Sequence, residues 1–481
     1  MASYEMKDQT IQSSREVDDM SKSDRDDLQL QRLGKKPVLK ALHAVSLSYR
    51  SYHPCSLSSA VLENVKLTIV PGHLHQVVNT TGWLTTIGWQ AAFASASYMC
   101  GTEIQGVVIL AWENYDPKAW HGTMIVWCSL LVAFGANMIG GKFLPRAESL
   151  ILVVHILGFF GILIPLVYMS NHKSTNEVFT EFTNGGEFAT DSLSWFVGMT
   201  GCVFSFAGGD AAVHMAEEVG NAATAIPHAI LLSVVINGIL GFAMLIAALF
   251  CMGSLEQVLS TKTGYPFIEI FYQGTGSVSG TVGMCSIILI IAVASGVGML
   301  AATSRQFWSF ARDKGVPGWR LWSQFSLVSI PRFHSDIEKV SSQSLPHYAI
   351  YLTMTISFLL ALINIGSAVA LNDVVSMAVS ALYLSYLLVG SLLLYRRCRG
   401  DISLSNENDD MAINIPGAKL VWGPFRIPGI WGILVNGYAV IYSLIVIFFS
   451  FWPSTMHPEV SEMNYSVARH IYQGPVLETV L

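Results

Sequence analysis

Nine stretches of this chain each run for about 20 residues without a single Asp, Glu, Lys or Arg. A helix needs about 20 apolar residues to cross a hydrocarbon core of about 30 Å. The stretches show no strict alternation of apolar and polar residues, so they favour helices over a barrel. They cover residues 82–102, 119–141, 149–169, 192–209, 229–252, 281–304, 348–370, 374–394 and 428–452. This pattern predicts an all-α polytopic membrane protein with about nine transmembrane helices.

The composition agrees with a lipid bilayer as the surrounding solvent. Of the 481 residues, 52% are hydrophobic and only 12% are charged, whereas a soluble domain carries about 25% charged residues. The net charge of −6 includes no basic block, which excludes a nucleic-acid-binding surface. No metal-ligand spacing and no hydrolase or ATPase motif is present, so we expect neither an enzyme, nor a metal, nor a bound cofactor.

The distribution of Lys and Arg predicts the orientation in the membrane. With the N-terminus placed in the cytoplasm, the cytoplasmic segments carry 23 Lys and Arg and the opposite segments carry four. Because basic residues concentrate in cytoplasmic loops, we expect the N-terminus to lie in the cytoplasm. The chain then divides into a disordered cytoplasmic tail (1–40), an atypical segment (41–81), the membrane core (82–452) and a C-terminal tail (453–481).

One segment concentrates the residues that are unusual inside a membrane protein. Gly208 and Gly209 follow 16 uncharged residues and precede Asp210. Paired glycines weaken a helix by about 1 kcal/mol each, and unwound backbone at membrane depth is tolerated only where it lines a cavity or packs within protein. A carboxylate there is costly and marks a functional site by default. The pattern indicates a discontinuous helix at a transport site.

The residues alone leave a plainer alternative open. Asp210, His214, Glu217 and Glu218 could form a solvated helix end on the cytoplasmic side, with only a topological role. For Asp210, the residues support this alternative about as well as they support a transport site. For the two glutamates, they support it better. A second weak signal is the Gly276–Gly280 spacing, which permits close helix packing.

Several motifs together resemble fungal amino-acid permeases of the GABA/choline type, in the amino acid–polyamine–organocation superfamily. The sequence GGDAAVHMAEEVGNAATAIPHAI (208–230) resembles the family signature after its broken sixth span. Further similar segments are TGWLTTIGWQAAFASASY (81–98), TGYPFIEIF (263–271), SRQFWSFARDKGVP (304–317) and GPFRIPGIWG (423–432). The resemblance is nearly continuous from about residue 80 to 465.

The resemblance implies a LeuT-like bundle of twelve spans, with the substrate between the broken first and sixth spans. The nine stretches correspond to the third to eleventh spans. Residues 41–78 do not resemble the first two spans, and the twelfth is also absent, so the expected bundle is incomplete. Residues 325–345 look inserted. These gaps leave open a truncated or mis-spliced permease-like protein without transport activity.

The leading prediction is secondary active transport of amino acids or related amines (GABA, choline) by alternating access. The resemblance implies coupling to a proton gradient, and we expect the plasma membrane as the location. The substrate-binding residues predicted from the broken span are Phe206, Ala207, Gly208, Gly209 and Asp210. His214, Glu217 and Glu218 are predicted to act at a cytoplasmic gate or helix end.

Overall fold

A computed structural model describes residues 71–139, 144–206, 208–324, 346–366, 369–404, 420–452 and 456. These residues are almost entirely helical. In chain order the elements are α1 (Pro71–Ala111), α2 (Ala119–Ile139), α3 (Leu144–Met169), α4 (Thr175–Thr180), α5 (Asp191–Ser205), α6 (Ala211–His214), a 3-10 turn (Ala216–Glu218), α7 (Ala222–Cys251), α8 (Leu255–Leu259), α9 (Pro266–Thr275), α10 (Val278–Arg312), α11 (Trp319–Trp322), α12 (His347–Gly366), α13 (Val369–Arg399), β1 (Ile402–Ser403), β2 (Leu420–Val421) and α14 (Gly429–Ser450). The two short strands pair in parallel.

Seven of the described helices are long and apolar enough to cross a membrane: α2, α3, α7, α10, α12, α13 and α14. The other two predicted stretches lie in α1 and α5. Helix α1 begins at Pro71 rather than at residue 82, and α5 ends at Ser205 rather than continuing to 209. The total of nine spans therefore stays a prediction.

Helix α1 is more polar than a lipid-facing span because it lies inside the bundle. It packs against α10, α13 and α2, and Trp89 and Phe93 on it are fully buried. Its buried polar side chains also face protein rather than lipid; they are Thr81, Thr86, Gln90, Ser95 and Ser97. Polar groups in a membrane bundle are placed in this way, since their hydrogen bonds must be satisfied by neighbouring helices.

Glycines let the neighbouring helices approach α1 closely. A Cβ atom on Gly88 would lie 2.8 Å from Cγ of Leu382 on α13. A Cβ atom on Gly101 would lie 2.8 Å from the backbone nitrogen of Val126 on α2. The absence of side chains at these two positions is therefore what sets the distance between the central helices.

The predicted close packing at Gly276 and Gly280 is wrong. Gly276, at a φ of 61°, ends α9, and the Ser277 side chain accepts a hydrogen bond from the Gly280 backbone nitrogen to cap α10. The nearest atoms to a Cβ on Gly280 belong to the same turn, from Ser277 and Thr275. The two glycines thus belong to a helix–helix turn, in which Gly commonly adopts the left-handed conformation that ends a helix.

The outer helices present large apolar side chains to the outside of the bundle. Leu157 on α3, Phe242 on α7 and Tyr438 on α14 are each about two-thirds exposed. A row of such side chains would be unstable in water, whereas lipid tails accommodate it. The observed bundle therefore has the surface of an integral membrane protein.

Candidate functional site

The chain unwinds at the paired glycines, where the sequence predicts a discontinuous helix. Helix α5 starts after Thr190, whose side chain accepts a hydrogen bond from the Leu193 backbone nitrogen, and it stops at Ser205. Gly208 has a φ of 92°, a left-handed conformation that costs glycine little and other residues more. The helical path resumes only at Ala211, for the four residues of α6.

Asp210 lies in this break and is buried, with only 3% of its surface exposed. Its Oδ1 atom accepts a hydrogen bond of 2.8 Å from the Tyr386 hydroxyl on α13. Its Oδ2 atom accepts one of 3.4 Å from the Trp89 indole nitrogen on α1. The alternative of a solvated helix end is therefore wrong for Asp210, because the carboxylate is enclosed by two other helices.

His214 completes the cluster around this carboxylate. Its Nε2 atom lies 3.4 Å from Oδ2 of Asp210, one helical turn away along α6. Its ring meets the Trp89 ring edge to face, with centroids 5.2 Å apart. We call Trp89, Asp210, His214 and Tyr386 the Asp210 cluster. It combines one carboxylate with an indole, a phenol and an imidazole. The carboxylate and the Trp89 and Tyr386 rings are groups of the kind that bind a cationic ammonium ligand.

The other predicted substrate-binding residues differ in their placement. Gly208 and Gly209 are buried beside Asp210, so the structure brings these three residues together. The Phe206 side chain is 42% exposed at the end of α5 and is not part of the Asp210 cluster. Ala207 lies outside the described residues. The assignment of Phe206 and Ala207 to substrate binding stays a prediction.

Glu217 and Glu218 lie in the 3-10 turn after α6, and each pairs with an arginine near the end of α10. Arg305 donates to both carboxylate oxygens of Glu218, with Nη2 to Oε2 at 3.1 Å. Arg312 donates in the same two-pronged way to Glu217. The two glutamates thus form part of an interface between the broken span and α10.

Sequence reasoning missed Trp89 and Tyr386. Both lie inside charge-free stretches, where an aromatic side chain is usually part of an apolar core. One signal could have found them, because Trp and Tyr of membrane helices concentrate at the lipid–water interfaces. An N–H or O–H in the middle of a span needs a partner in the bundle, and here the partner is Asp210.

A second polar region lies beside the Asp210 cluster, between α1, α10 and α12. The Gln90 side chain donates to Thr353 Oγ1 at 2.9 Å, and the Gln306 side chain donates to Thr86 Oγ1 at 3.2 Å. The Thr303 hydroxyl donates to the Trp89 carbonyl at 3.5 Å. These contacts hold α1, and with it the Trp89 indole, in register against α10 and α12.

With this geometry established, comparison with known proteins identifies the family. The family model described as amino acid permease matches residues 73–472. This range begins two residues into α1 and includes every later helix and strand that the structure describes. The chain belongs to the amino acid permease family. This family of the amino acid–polyamine–organocation superfamily consists of transporters, not enzymes.

Two curated relatives of this permease are fungal proteins named as transporters. It is 28% identical to a Macrophomina phaseolina protein named as an amino acid/polyamine transporter, over 80% of this chain and 79% of that protein. It is also 28% identical to the choline transporter of Saccharomyces cerevisiae, over 77% of this chain and 60% of that protein. The permease therefore spans less than two thirds of the yeast protein.

The fold of the permease is LeuT-like. It resembles the crystal structure of MhsT in complex with L-phenylalanine with a TM-score of 0.50, covering 85% of this chain and 88% of that chain. The sequences are only 14% identical, so this likeness concerns the fold alone. The expected LeuT-like helix bundle is confirmed.

Proposed function

We propose that this permease carries amino acids or related amines such as GABA or choline across the plasma membrane by secondary active, alternating-access transport. The observation that carries the proposal is the buried Asp210 carboxylate at the break between α5 and α6. Desolvating a carboxylate is costly, and a protein retains one at membrane depth where its charge is used. Trp89 and Tyr386 donate to Asp210 as neutral groups, and an ammonium group would bring a full positive charge to the carboxylate beside the His214 ring, which lies 3.4 Å away.

The aromatic rings of the Asp210 cluster support a cationic substrate. Trp89 and Tyr386 each direct a polar hydrogen to Asp210, which holds the carboxylate in one orientation. An ammonium group entering beside Asp210 would gain the charge interaction and contacts with these aromatic side chains. Such contacts serve a primary amine and a quaternary amine alike, so both amino acids and choline remain within the proposed class.

The unwound backbone contributes to the same proposed site. Broken helices expose backbone N–H groups and carbonyls that can bind the charged ends of a substrate. Gly208 and Gly209 provide this backbone beside Asp210, and we keep Phe206 and Ala207 as proposed neighbours of the substrate. We further propose a cytoplasmic N-terminus and coupling to a proton gradient. The division into a tail (1–40), an atypical segment (41–81), a core (82–452) and a C-terminal tail (453–481) is part of this proposal.

Uptake measurements test the proposed function. The full chain is expressed in a host that lacks its own amine permeases, and uptake of radiolabelled GABA, choline and a panel of amino acids is measured. We expect uptake of at least one of these solutes. No uptake of any of them, with the protein present at the surface, would support the non-transporting alternative instead.

A substitution then tests the role of Asp210. We expect Asp210→Asn to lower uptake about tenfold or more without loss of surface expression, since a lost ion pair or charged hydrogen bond costs about 1.5–3 kcal/mol. Asp191→Asn is the matched control, because Asp191 is an exposed residue in the first turn of α5. Uptake equal to that of the unmodified permease in Asp210→Asn would remove Asp210 from the substrate site.

A further inference from the structure

Four arginines lie where α13 ends and α14 begins. They are Arg396, Arg397, Arg399 and Arg426. Among the described residues of 395–432, Asp401 is the only carboxylate. Its Oδ2 atom lies 2.8 Å from Nη1 of Arg396 and 3.8 Å from Nε of Arg399. Four positive charges thus share one negative charge, which leaves the described part of this end of the bundle cationic.

The Arg397 guanidinium is held in one position by neutral groups. Its Cζ atom lies 4.6 Å from the centre of the Trp422 ring, and its Nη2 atom donates to the Ile427 carbonyl oxygen. The side chain crosses α14 at Gly432, where a Cβ atom would overlap the guanidinium. Arginine carries five N–H donors, and among the described residues Ile427 supplies the only acceptor for them. The charge of Arg397 is therefore oriented but has no anionic partner in the described structure.

The neighbouring Arg396 is also short of acceptors. Its side chain is 7% exposed. Although Nη1 donates to Asp401, the buried Nε atom has no hydrogen-bond partner among the described residues, and an unpaired buried donor costs free energy. Arg426 is exposed beside Ile427 and adds a further positive charge. These arginines suit a phosphate group, because a guanidinium can donate two parallel N–H groups to its oxygens.

The apolar surface of a membrane-spanning helix begins beside these arginines. Ile430, Trp431 and Leu434 lie within one turn of Gly432 on α14, and they are 62%, 69% and 54% exposed. A soluble anion would contact the arginines alone, whereas a phospholipid would also lay an acyl chain along this surface. In the orientation proposed above, this end of the bundle faces the cytoplasm, and the cytoplasmic leaflet carries anionic lipids. The surface therefore favours a phospholipid over a soluble phosphate compound.

We propose that this end of α13 and α14 binds the headgroup of an anionic phospholipid. The Arg397 guanidinium donates to two phosphate oxygens, Arg426 adds its charge, and an acyl chain packs against the exposed apolar side chains of α14. Arg397 lies about three helical turns beyond Tyr386 on α13, so the lipid site is separate from the Asp210 cluster. Lipid binding at this site needs no transported solute.

Native mass spectrometry of the purified full-length permease in detergent measures this binding. The permease is titrated with dioleoyl phosphatidylserine and, separately, with dioleoyl phosphatidylcholine, whose headgroup carries no net charge. We expect phosphatidylserine to bind about tenfold more tightly, because basic side chains near the membrane surface attract anionic lipid. Glycerophosphoserine, the same headgroup without acyl chains, should not displace it at equal concentration. Equal affinity for the two lipids, or displacement by glycerophosphoserine, would overturn the proposal.

Two arginines provide matched variants. We expect Arg397→Gln to weaken phosphatidylserine binding about tenfold, the factor that corresponds to the loss of a hydrogen bond between charged groups. Arg320→Gln is the control, because exposed Arg320 also lies over a tryptophan, with its Cζ atom 5.5 Å from the centre of the Trp319 ring on α11. The control loses the same charge at another place and should bind within about twofold of the parent. Equal losses in both variants would assign the binding to overall charge and overturn the site.

A variant that keeps every charge covers the case in which Arg397→Gln does not fold. Gly432→Ala introduces a Cβ atom where the Arg397 guanidinium lies, and the end of that flexible side chain can move aside. We expect a severalfold weaker affinity for phosphatidylserine. Gly437→Ala on α14, where a Cβ atom meets nothing within 4 Å, should bind like the parent. Equal affinities in these two variants would show that the position of the guanidinium does not matter and would overturn the proposal.

The lipid site and the proposed transport stand or fall separately. A permease that binds phosphatidylserine in this pattern but takes up no amine would refute the proposed function and leave the lipid site in place. A permease that takes up an amine but binds both lipids equally would refute the lipid site alone.

Discussion

The Tyr386 hydroxyl donates a 2.8 Å hydrogen bond to the Asp210 carboxylate, although the two residues are 176 positions apart in the chain. The bond joins α13 to the break that follows α5. Hydrogen bonds to an ionised acceptor are shorter and about twice as strong as neutral ones. The orientation of the buried Asp210 carboxylate therefore depends on a helix that lies far away in the sequence.

Removing this hydroxyl should weaken the proposed site while preserving its shape. We expect Tyr386→Phe to lower uptake of the transported amine about tenfold, because loss of a hydrogen bond to a charged group costs about 1.5–3 kcal/mol. The ring remains, so we expect the protein to stay folded. Initial uptake rates over a range of solute concentrations measure the effect.

Tyr438→Phe is the control for this change. Tyr438 is 70% exposed on α14, and losing its hydroxyl should leave uptake within about twofold of the parent, as is usual for surface substitutions. If both variants transport equally well, the Tyr386–Asp210 bond has no part in substrate recognition.

The unwound backbone at Gly208 and Gly209 could be predicted from the sequence, whereas the hydrogen-bond partners of Asp210 could not. Two adjacent glycines are a local signal because they weaken a helix, and a carboxylate after a long uncharged stretch is one because its charge is costly inside a membrane. Trp89 and Tyr386 reach Asp210 only through the packing of α1 and α13 against the break. No local property of the chain specifies that packing.

The presence of a helix is likewise easier to predict from the sequence than the place of that helix in the bundle. The lack of charge predicts a helix over 82–102, but nothing local indicates that α1 runs from Pro71 to Ala111 and packs against α2, α10 and α13. The packing predicted from the Gly276–Gly280 spacing is wrong for the same reason. A pair of glycines four residues apart permits close helix packing, yet here one of them ends a helix.

Close packing of α1 against α2 should be sensitive to a single methyl group. A Cβ atom on Gly101 would lie 2.8 Å from the backbone nitrogen of Val126, and backbone cannot rotate aside. We expect Gly101→Ala to destabilise the permease by about 1–3 kcal/mol, the usual cost of overpacking. The loss is measured as a lower unfolding temperature in detergent, with the folded fraction that remains at each temperature determined by size-exclusion chromatography.

Gly135→Ala on α2 provides the comparison. No atom lies within 4 Å of a Cβ at that position, so we expect no loss of stability and a small gain from the higher helix propensity of Ala. An unfolding temperature for Gly101→Ala that matches that of Gly135→Ala would contradict the packing argument.

Acid should loosen the short helix α4, which lies outside the membrane-spanning segments. The Ser174 backbone nitrogen donates to Glu177 at 2.8 Å, and the Ser174 side chain accepts from the Glu177 nitrogen. The first of these bonds is the main cause that lowers the pKa of Glu177 below its ordinary value. The bonds therefore stabilise α4 above the ordinary pKa, and this stability is lost as the pH falls through the lowered pKa.

Hydrogen exchange of the backbone amides in 174–178 tests this pH dependence after correction for intrinsic rates. We expect protection to fall in the acid range for the parent. Glu177→Gln should show protection that does not change over the same range, since an amide can serve in the capping box but does not titrate. Identical acid-dependent loss in both proteins would assign the effect to another group.

The last prediction concerns the conformation of the break itself. Gly208 has a φ of 92° and is buried, a backbone conformation that a residue with a Cβ atom adopts only with strain. We expect Gly208→Ala to cost about 1–2 kcal/mol in the described conformation and to lower uptake, because Asp210 would turn away from Tyr386 and Trp89. Gly201→Ala is the matched control, since a Cβ at Gly201 meets no atom within 4 Å in the middle of α5. That control should keep full uptake and gain up to about 1 kcal/mol of helix stability.

The unfolding temperature and the uptake rate are measured for both variants, Gly208→Ala and Gly201→Ala. A Gly208→Ala permease as active and as stable as Gly201→Ala would show that the left-handed conformation is not needed for transport.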